Sequence, residues 1–141
     1  MANIGGTLDE SAVREVVDNI AKAWEANDAD AFADAYTEDA SLILSGDRYF
    51  IGREVIRQAL AQVYKAGHKG TTLLQNIVDI RFLGSDAAVA ITEGGVLAPG
   101  ETEPAEERAI RATWVFEKQN GTWFIAAYQN TRNADGTLPG T

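Results

Sequence analysis

The segment Ala109 to Thr131, AIRATWVFEKQNGTWFIAAYQNT, constrains the fold more than any other part of the chain. Two runs of alternating polarity flank Asn120-Gly121, and both residues accept the positive φ that a type I′ hairpin turn requires. A two-residue turn there sets Gln119 opposite Thr122 and assigns every side chain of both strands to a face. One face reads Ile110, Ala112, Trp114 and Phe116 against Thr131, Gln129, Ala127 and Ile125. The other reads Arg111, Thr113, Val115 and Glu117 against Asn130, Tyr128, Ala126 and Phe124. The first face carries the larger hydrophobes and is expected on the core. Ala112 and Ala127 leave a hollow beside Trp114, and Gln129 stands at its edge, as on the floor of a pocket.

The 141 residues suffice for one domain with a proper core, expected over 1–141 with loose ends at about 1–6 and 133–141. A net charge of −9 without any basic stripe argues against nucleic acid and against an anionic membrane surface. Cysteine is absent, which removes disulfides, thiol nucleophiles and cysteine metal sites. The start of the chain lacks the basic and apolar regions of a secretory leader, and no apolar run reaches membrane-spanning length. A cytoplasmic protein is expected.

Helices come first in the order of elements. Thr7-Leu8-Asp9-Glu10 has the form of a capping box, and Val13, Val16, Val17, Ile20 and Trp24 follow at helical spacing to about Ala26. Asp30 is placed to cap a second helix bearing Phe32 and Tyr36 as an i, i+4 pair. Ser41 to Leu44 reads as a short strand returning through Tyr49-Phe50. Gly52 opens a third helix with Val55, Ile56, Ala59, Leu60, Val63 and Tyr64, ending at Gly67. The period then changes to two: Leu73–Leu83 and Ala87–Leu97 are strands, Pro99–Glu106 an acidic loop, and the Asn-Gly hairpin completes the sheet. Helices followed by antiparallel strands define an α+β fold, with the helices on one face of a curved sheet.

Carrying the register outward sets Ile80 opposite Val89, Val78 opposite Ile91 and Asn76 opposite Glu93, with Val89 beside Trp114. All large aliphatics then fall on the core face. Asn76, Glu93, Gln129 and Thr131 gather toward one end of it, a few polar groups on apolar walls, as in small-ligand sites.

The segments AWEANDADAFADAYTEDASLI, FIGREVIRQAL, VDIRFLGSDAAVA and GTWFIAAYQNTR resemble the NTF2-like superfamily, and most of all its SnoaL-like, SgcJ/EcaC-type branch. The resemblance spans about 9–132. It implies an α+β cone: a curved antiparallel sheet with N-terminal helices packed on its concave face around a pocket, usually dimeric through the sheet. It also implies a role in natural-product biosynthesis of the polyketide or enediyne type. The superfamily includes cyclases, dehydratases, isomerases and domains that only bind. Many relatives carry histidine near the end of the last strand, where this chain has Tyr128-Gln129-Asn130.

Each candidate residue has a plainer alternative. Glu93 on an apolar surface would have a raised pKa suited to acid/base work. Alternatively, Gly94-Gly95 turns it to solvent or an arginine pairs with it. Asn76 and Gln129 either hold a ligand oxygen or satisfy one another. Trp24, Tyr36, Tyr49 and Trp114 line the pocket or are ordinary core. His68, the one histidine, lies in a glycine-bounded loop and is either solvated or part of a lid. The scattered carboxylates give no metal site, and no nucleotide-binding glycine pattern implies a cofactor. Three functions remain open: a protein binding a hydrophobic polyketide-derived small molecule, a cofactor-free cyclase, dehydratase or isomerase using Glu93, and a dimerisation module with a vestigial pocket. A homodimer is expected in each case, formed through the outer sheet face around Phe124, Ala126 and Tyr128.

Overall fold

The computed structural model describes residues 4–66 and 70–133. His68 and the tail beyond Asn133 lie outside the described residues. Among the described residues no helix is long and apolar enough to cross a membrane.

The first helix, α1 (Ile4–Glu25), begins before the T-x-x-E segment, which therefore does not mark its start. Val13, Val17, Ile20 and Trp24 recur on one face and are all buried. After the turn at Asn27, which adopts a φ of 53°, α2 (Ala29–Asp34) follows. Its cap is Asp28, whose carboxylate accepts from the Ala31 N–H at 3.0 Å. Asp30, expected in that role, instead pairs with Arg57 at 2.7 Å. Phe32 and Tyr36 do stack, with centroids 5.7 Å apart, but Tyr36 already belongs to the next strand.

That strand, β1 (Tyr36–Leu44), is longer than its sequence suggests and returns through β2 (Arg48–Ile51). The third helix, α3 (Arg53–Lys65), opens after Gly52, whose φ of 95° suits the sharp exit from β2. Arg57 on α3 also pairs with Asp34 at 2.8 Å and Glu54 at 3.1 Å, tying α2 to α3. Then come β3 (Thr72–Phe82), β4 (Ala87–Leu97), a single 3-10 turn (Glu106–Arg108), β5 (Ala109–Gln119) and β6 (Thr122–Arg132).

The six strands form one curved, unclosed sheet in the order β2-β1-β6-β5-β4-β3. Neighbours are antiparallel except β1 and β6, which run parallel, so the expected antiparallel sheet is a mixed one. A parallel pair needs a long crossover, which the segments between β1 and β6 supply. The helices pack on the concave face, α1 against β3 and β6 and α3 against β1.

The registers decide what that face carries. From Gln119–Thr122 to Phe116–Ile125 the hairpin pairs as its turn dictates. There the register shifts by one, and Val115 pairs with Ala127, leaving Ala126 as the extra residue of a β-bulge. Beyond it the two faces of β6 exchange: Tyr128, Asn130 and Arg132 turn inward, and Ala127, Gln129 and Thr131 outward. Strand β4 is also displaced by one from its expected register, with Ala90 rather than Val89 opposite Trp114. Ala88, Ala90 and Thr92 are thus buried under Phe116, Trp114 and Ala112. Small residues on β4 make room for two stacked rings, Trp114 and Phe116, 5.9 Å apart. The larger aliphatics Val89 and Ile91 face outward, the reverse of the size-based expectation.

Candidate functional site

Between the concave face and the helices lies a cavity of about 360 Å3. Its lining is mainly apolar and aromatic. Ile20 and Trp24 come from α1, Ala59, Leu60 and Val63 from α3, Leu42 from β1, Phe50 from β2, and Trp114 and Tyr128 from β5 and β6. Two of these rings meet edge to face, Trp114 and Tyr128, with centroids 4.7 Å apart. Gly94 and Gly95 bring the backbone close on this side. A side chain at Gly94 would run into the Leu74 carbonyl, and Gly95, at φ 150°, lies against the Arg108 carbonyl.

The polar groups are few and connected. Asn130 accepts through Oδ1 from the Ser45 N–H and hydroxyl, both at 2.8 Å. Its Nδ2 donates to the Tyr128 hydroxyl at 3.0 Å. With its oxygen accepting that bond, the phenol retains its own proton to donate. Burial pushes the Tyr128 phenol up to about 12, though the bond from Asn130 opposes the rise. Tyr36 is raised further by burial and by the neighbouring phenols of Tyr128 and Tyr64. Both phenols therefore stand neutral near pH 7, able to donate a hydrogen bond and unsuited to act as bases.

Trp24 Nε1 donates to Thr71 Oγ1 at 2.9 Å, and Trp114 Nε1 to Thr92 Oγ1 at 2.9 Å, so both indoles have satisfied N–H groups. Gln75 also lines the cavity, and its Nε2 is buried without a partner among the described residues. Such a donor left unpaired costs about 1–3 kcal/mol. Around the opening the lining residues are solvent-exposed and charged: Arg48, Glu107, Arg108 and Arg132.

Of the residues singled out from sequence, the structure brings Trp24, Tyr36 and Trp114 to the cavity. It places the others elsewhere. Glu93 faces outward, because β4 is displaced by one residue, and accepts from Arg111 Nη2 at 3.0 Å. Asn76 does lie opposite Glu93, but on the same outer face and exposed. Gln129 is turned outward by the Ala126 bulge. Tyr49 is 55% exposed and stands opposite Ile43 on the outer side of β2, and its neighbour Phe50 turns in instead. The proposed cluster of Asn76, Glu93 and Gln129 is therefore not part of the cavity wall.

Ser45, Arg48, Gln75, Asn130 and Arg132 were not singled out. Alternation alone carries a signal for two of them, since Tyr128, Asn130 and Arg132 form one period-two row. Choosing between that row and Ala127, Gln129, Thr131 required knowledge of the bulge. Among the described residues no group of three or more His, Asp or Glu side chains could hold a metal ion.

The family model of the SnoaL-like domain matches residues 6–129. Among solved structures, a domain of unknown function with a cystatin-like fold from Nostoc punctiforme is 29% identical, with a TM-score of 0.83 over 92% of this chain and 80% of that one. An NTF2-like protein with a cystatin-like fold from Novosphingobium aromaticivorans is 20% identical, with a TM-score of 0.80 over 93% and 85%. An NTF2-like protein of unknown function from Shewanella oneidensis is also 20% identical, at 0.69 over 87% and 98%. No curated protein matches the chain.

Proposed function

We propose that this chain, which belongs to the SnoaL-like domain family, binds a hydrophobic small molecule in its cavity, a polyketide-derived intermediate of a natural-product pathway of the enediyne or a related type. The observation that carries this reading is the aromatic cavity of about 360 Å3 with the Tyr128–Asn130–Ser45 chain in its wall. Its size and its sparse, connected polar groups suit a drug-sized ligand oriented by a few hydrogen bonds. Binding without turnover is favoured, because the cavity's carboxylate, Glu107, sits at the exposed rim. A second reading, cofactor-free isomerisation or cyclisation, rests on the neutral Tyr128 hydroxyl, which could donate to a developing enolate oxygen.

An anthraquinone, a rigid polyketide-like aromatic, tests the first reading. Bound in the cavity, it should raise the thermal unfolding midpoint in proportion to the logarithm of its concentration. No shift at concentrations well above micromolar would sink the reading. Turnover of a polyketide substrate by the purified protein would favour the second.

The same proposal includes a homodimer through the outer face. That face carries the half-buried Ile91, Val115, Phe124 and Ala127 across β4, β5 and β6, and it is more aliphatic than the sequence suggested. Contiguous apolar surface of this kind seldom stays in water. The expected central contact is Val115 rather than Tyr128, which points into the cavity. Phe124 lies 6.0 Å beneath the Arg53 guanidinium, so an acid introduced there would find a partner within its own chain. Val115→Glu should therefore split the dimer, because it buries a charge with no partner at the sheet centre. Light scattering that gives the mass of one chain for the unsubstituted protein would defeat the dimer.

A further inference from the structure

We infer that the occupant of the cavity is a hydrophobic monoacid whose carboxylate is held at the opening by Arg132 and Arg48. This rests on the reading of the cavity as a ligand site and specifies its chemistry.

In a chain of net charge −9, three of eight arginines line this one opening. The inward row of β6 is graded by depth: Tyr128 is buried, Asn130 half-buried and Arg132 exposed. A molecule lying along it would meet a ring, then an amide, then a cation. Arg48 converges on the same corner. Its Nε donates to the Ser45 carbonyl at 3.1 Å, and Ser45 is the residue that Asn130 grips through its N–H and hydroxyl.

The charges at the rim do not cancel. Arg108 is engaged with Glu101 at 2.7 Å. Arg48 and Arg132 have no carboxylate partner among the described residues, and Glu107 is the one acid among the residues lining the cavity. The balance is a single positive charge, which matches a carboxylate better than a doubly charged phosphate. Arginine's planar fork suits a carboxylate, and bonds to an ionised acceptor are roughly twice as strong as neutral ones.

Two probes of nearly equal shape separate charge from apolar fit: naphthalene-1-acetate and naphthalene-1-acetamide. Calorimetric titration of the full chain should show the acetate binding roughly tenfold tighter than the amide. In Arg48→Gln/Arg132→Gln that margin should vanish while affinity for the amide is kept. Arg48→Lys/Arg132→Lys should restore part of it. Equal affinity for both probes in the unsubstituted protein would overturn the acid assignment and leave the cavity reading standing. A margin that survives in the glutamine variant would also overturn it, because the charge would then be sensed elsewhere. Failure of both probes to bind would overturn the acid and the cavity reading together.

Discussion

Trp114 donates its indole N–H to the Thr92 hydroxyl at 2.9 Å, across the neighbouring strands β5 and β4 and with both residues buried. The bond exists because β4 turns its small residues inward at this point, opposite the rings of β5.

Thr92→Val keeps the shape and removes the acceptor. The buried N–H would then lack a partner, at a cost of about 1–3 kcal/mol. Denaturant unfolding measures this directly. A midpoint unchanged from the parent protein would show that the indole finds another acceptor.

Two substitutions distinguish the sides of the sheet. Ala59→Phe introduces a ring into the cavity and should weaken anthraquinone binding while the chain still folds. Ala127→Phe adds the same ring on the outer face, because the bulge turns Ala127 away from the hollow. It should leave anthraquinone affinity unaltered and act on self-association. Reduced ligand affinity in Ala127→Phe alone would contradict the observed register.

Acid sensitivity centres on the start of α1. The Asp9 carboxyl lies below the usual carboxylate range because the Trp123 indole N–H, then the Lys118 ammonium, bond its anion. A carboxyl depressed in the folded state adds stability above its unfolded pKa, and that stability is lost as pH falls through the folded value. The parent protein should therefore lose more stability than Asp9→Asn between about pH 6 and about pH 3. Denaturant midpoints at the two pH values check the difference, and equal losses in both proteins would refute it.

Gly94→Ala should be severely destabilising, by roughly 2 kcal/mol or more, since the added methyl meets backbone that cannot rotate away. Unfolding at the parent's midpoint would mean that β3 can shift outward at no cost.

The α+β order, the helical face of Val13, Val17, Ile20 and Trp24, and the first pairs of the Asn-Gly hairpin could all be read from periodicity and turn chemistry. These signals are local. The cavity's polar wall is not local, for it depends on strand parity. An eleven-residue connection, 98–108, separates β4 from β5, and nothing in its composition fixes whether Val89 or Ala90 meets Trp114. The Ala126 bulge has no glycine to announce it. Trp24, Tyr36 and Trp114 survive such errors because each sits within an apolar run that is buried on its inner face, whereas Tyr49, on the short edge strand β2, turns outward. Short polar residues such as Gln129 and Asn130 fit either face, and they are where the assignment failed. The parallel contact of β1 with β6 likewise left no mark in either strand.

The bulge at Ala126 also bears on how such a scaffold diversifies. Strand residues beyond it reach the ligand only because one unpaired alanine precedes them. Flattening the bulge, so that this alanine pairs with Val115, would present Ala127, Gln129 and Thr131 to the ligand and send Arg132 to the opposite surface. A pocket of this construction can thus exchange a cationic mouth for a neutral one in a single-residue frame change, and the same event would move Tyr128 onto the face where another subunit is proposed to dock. Ligand choice and self-association are then inherited together, because one strand writes both.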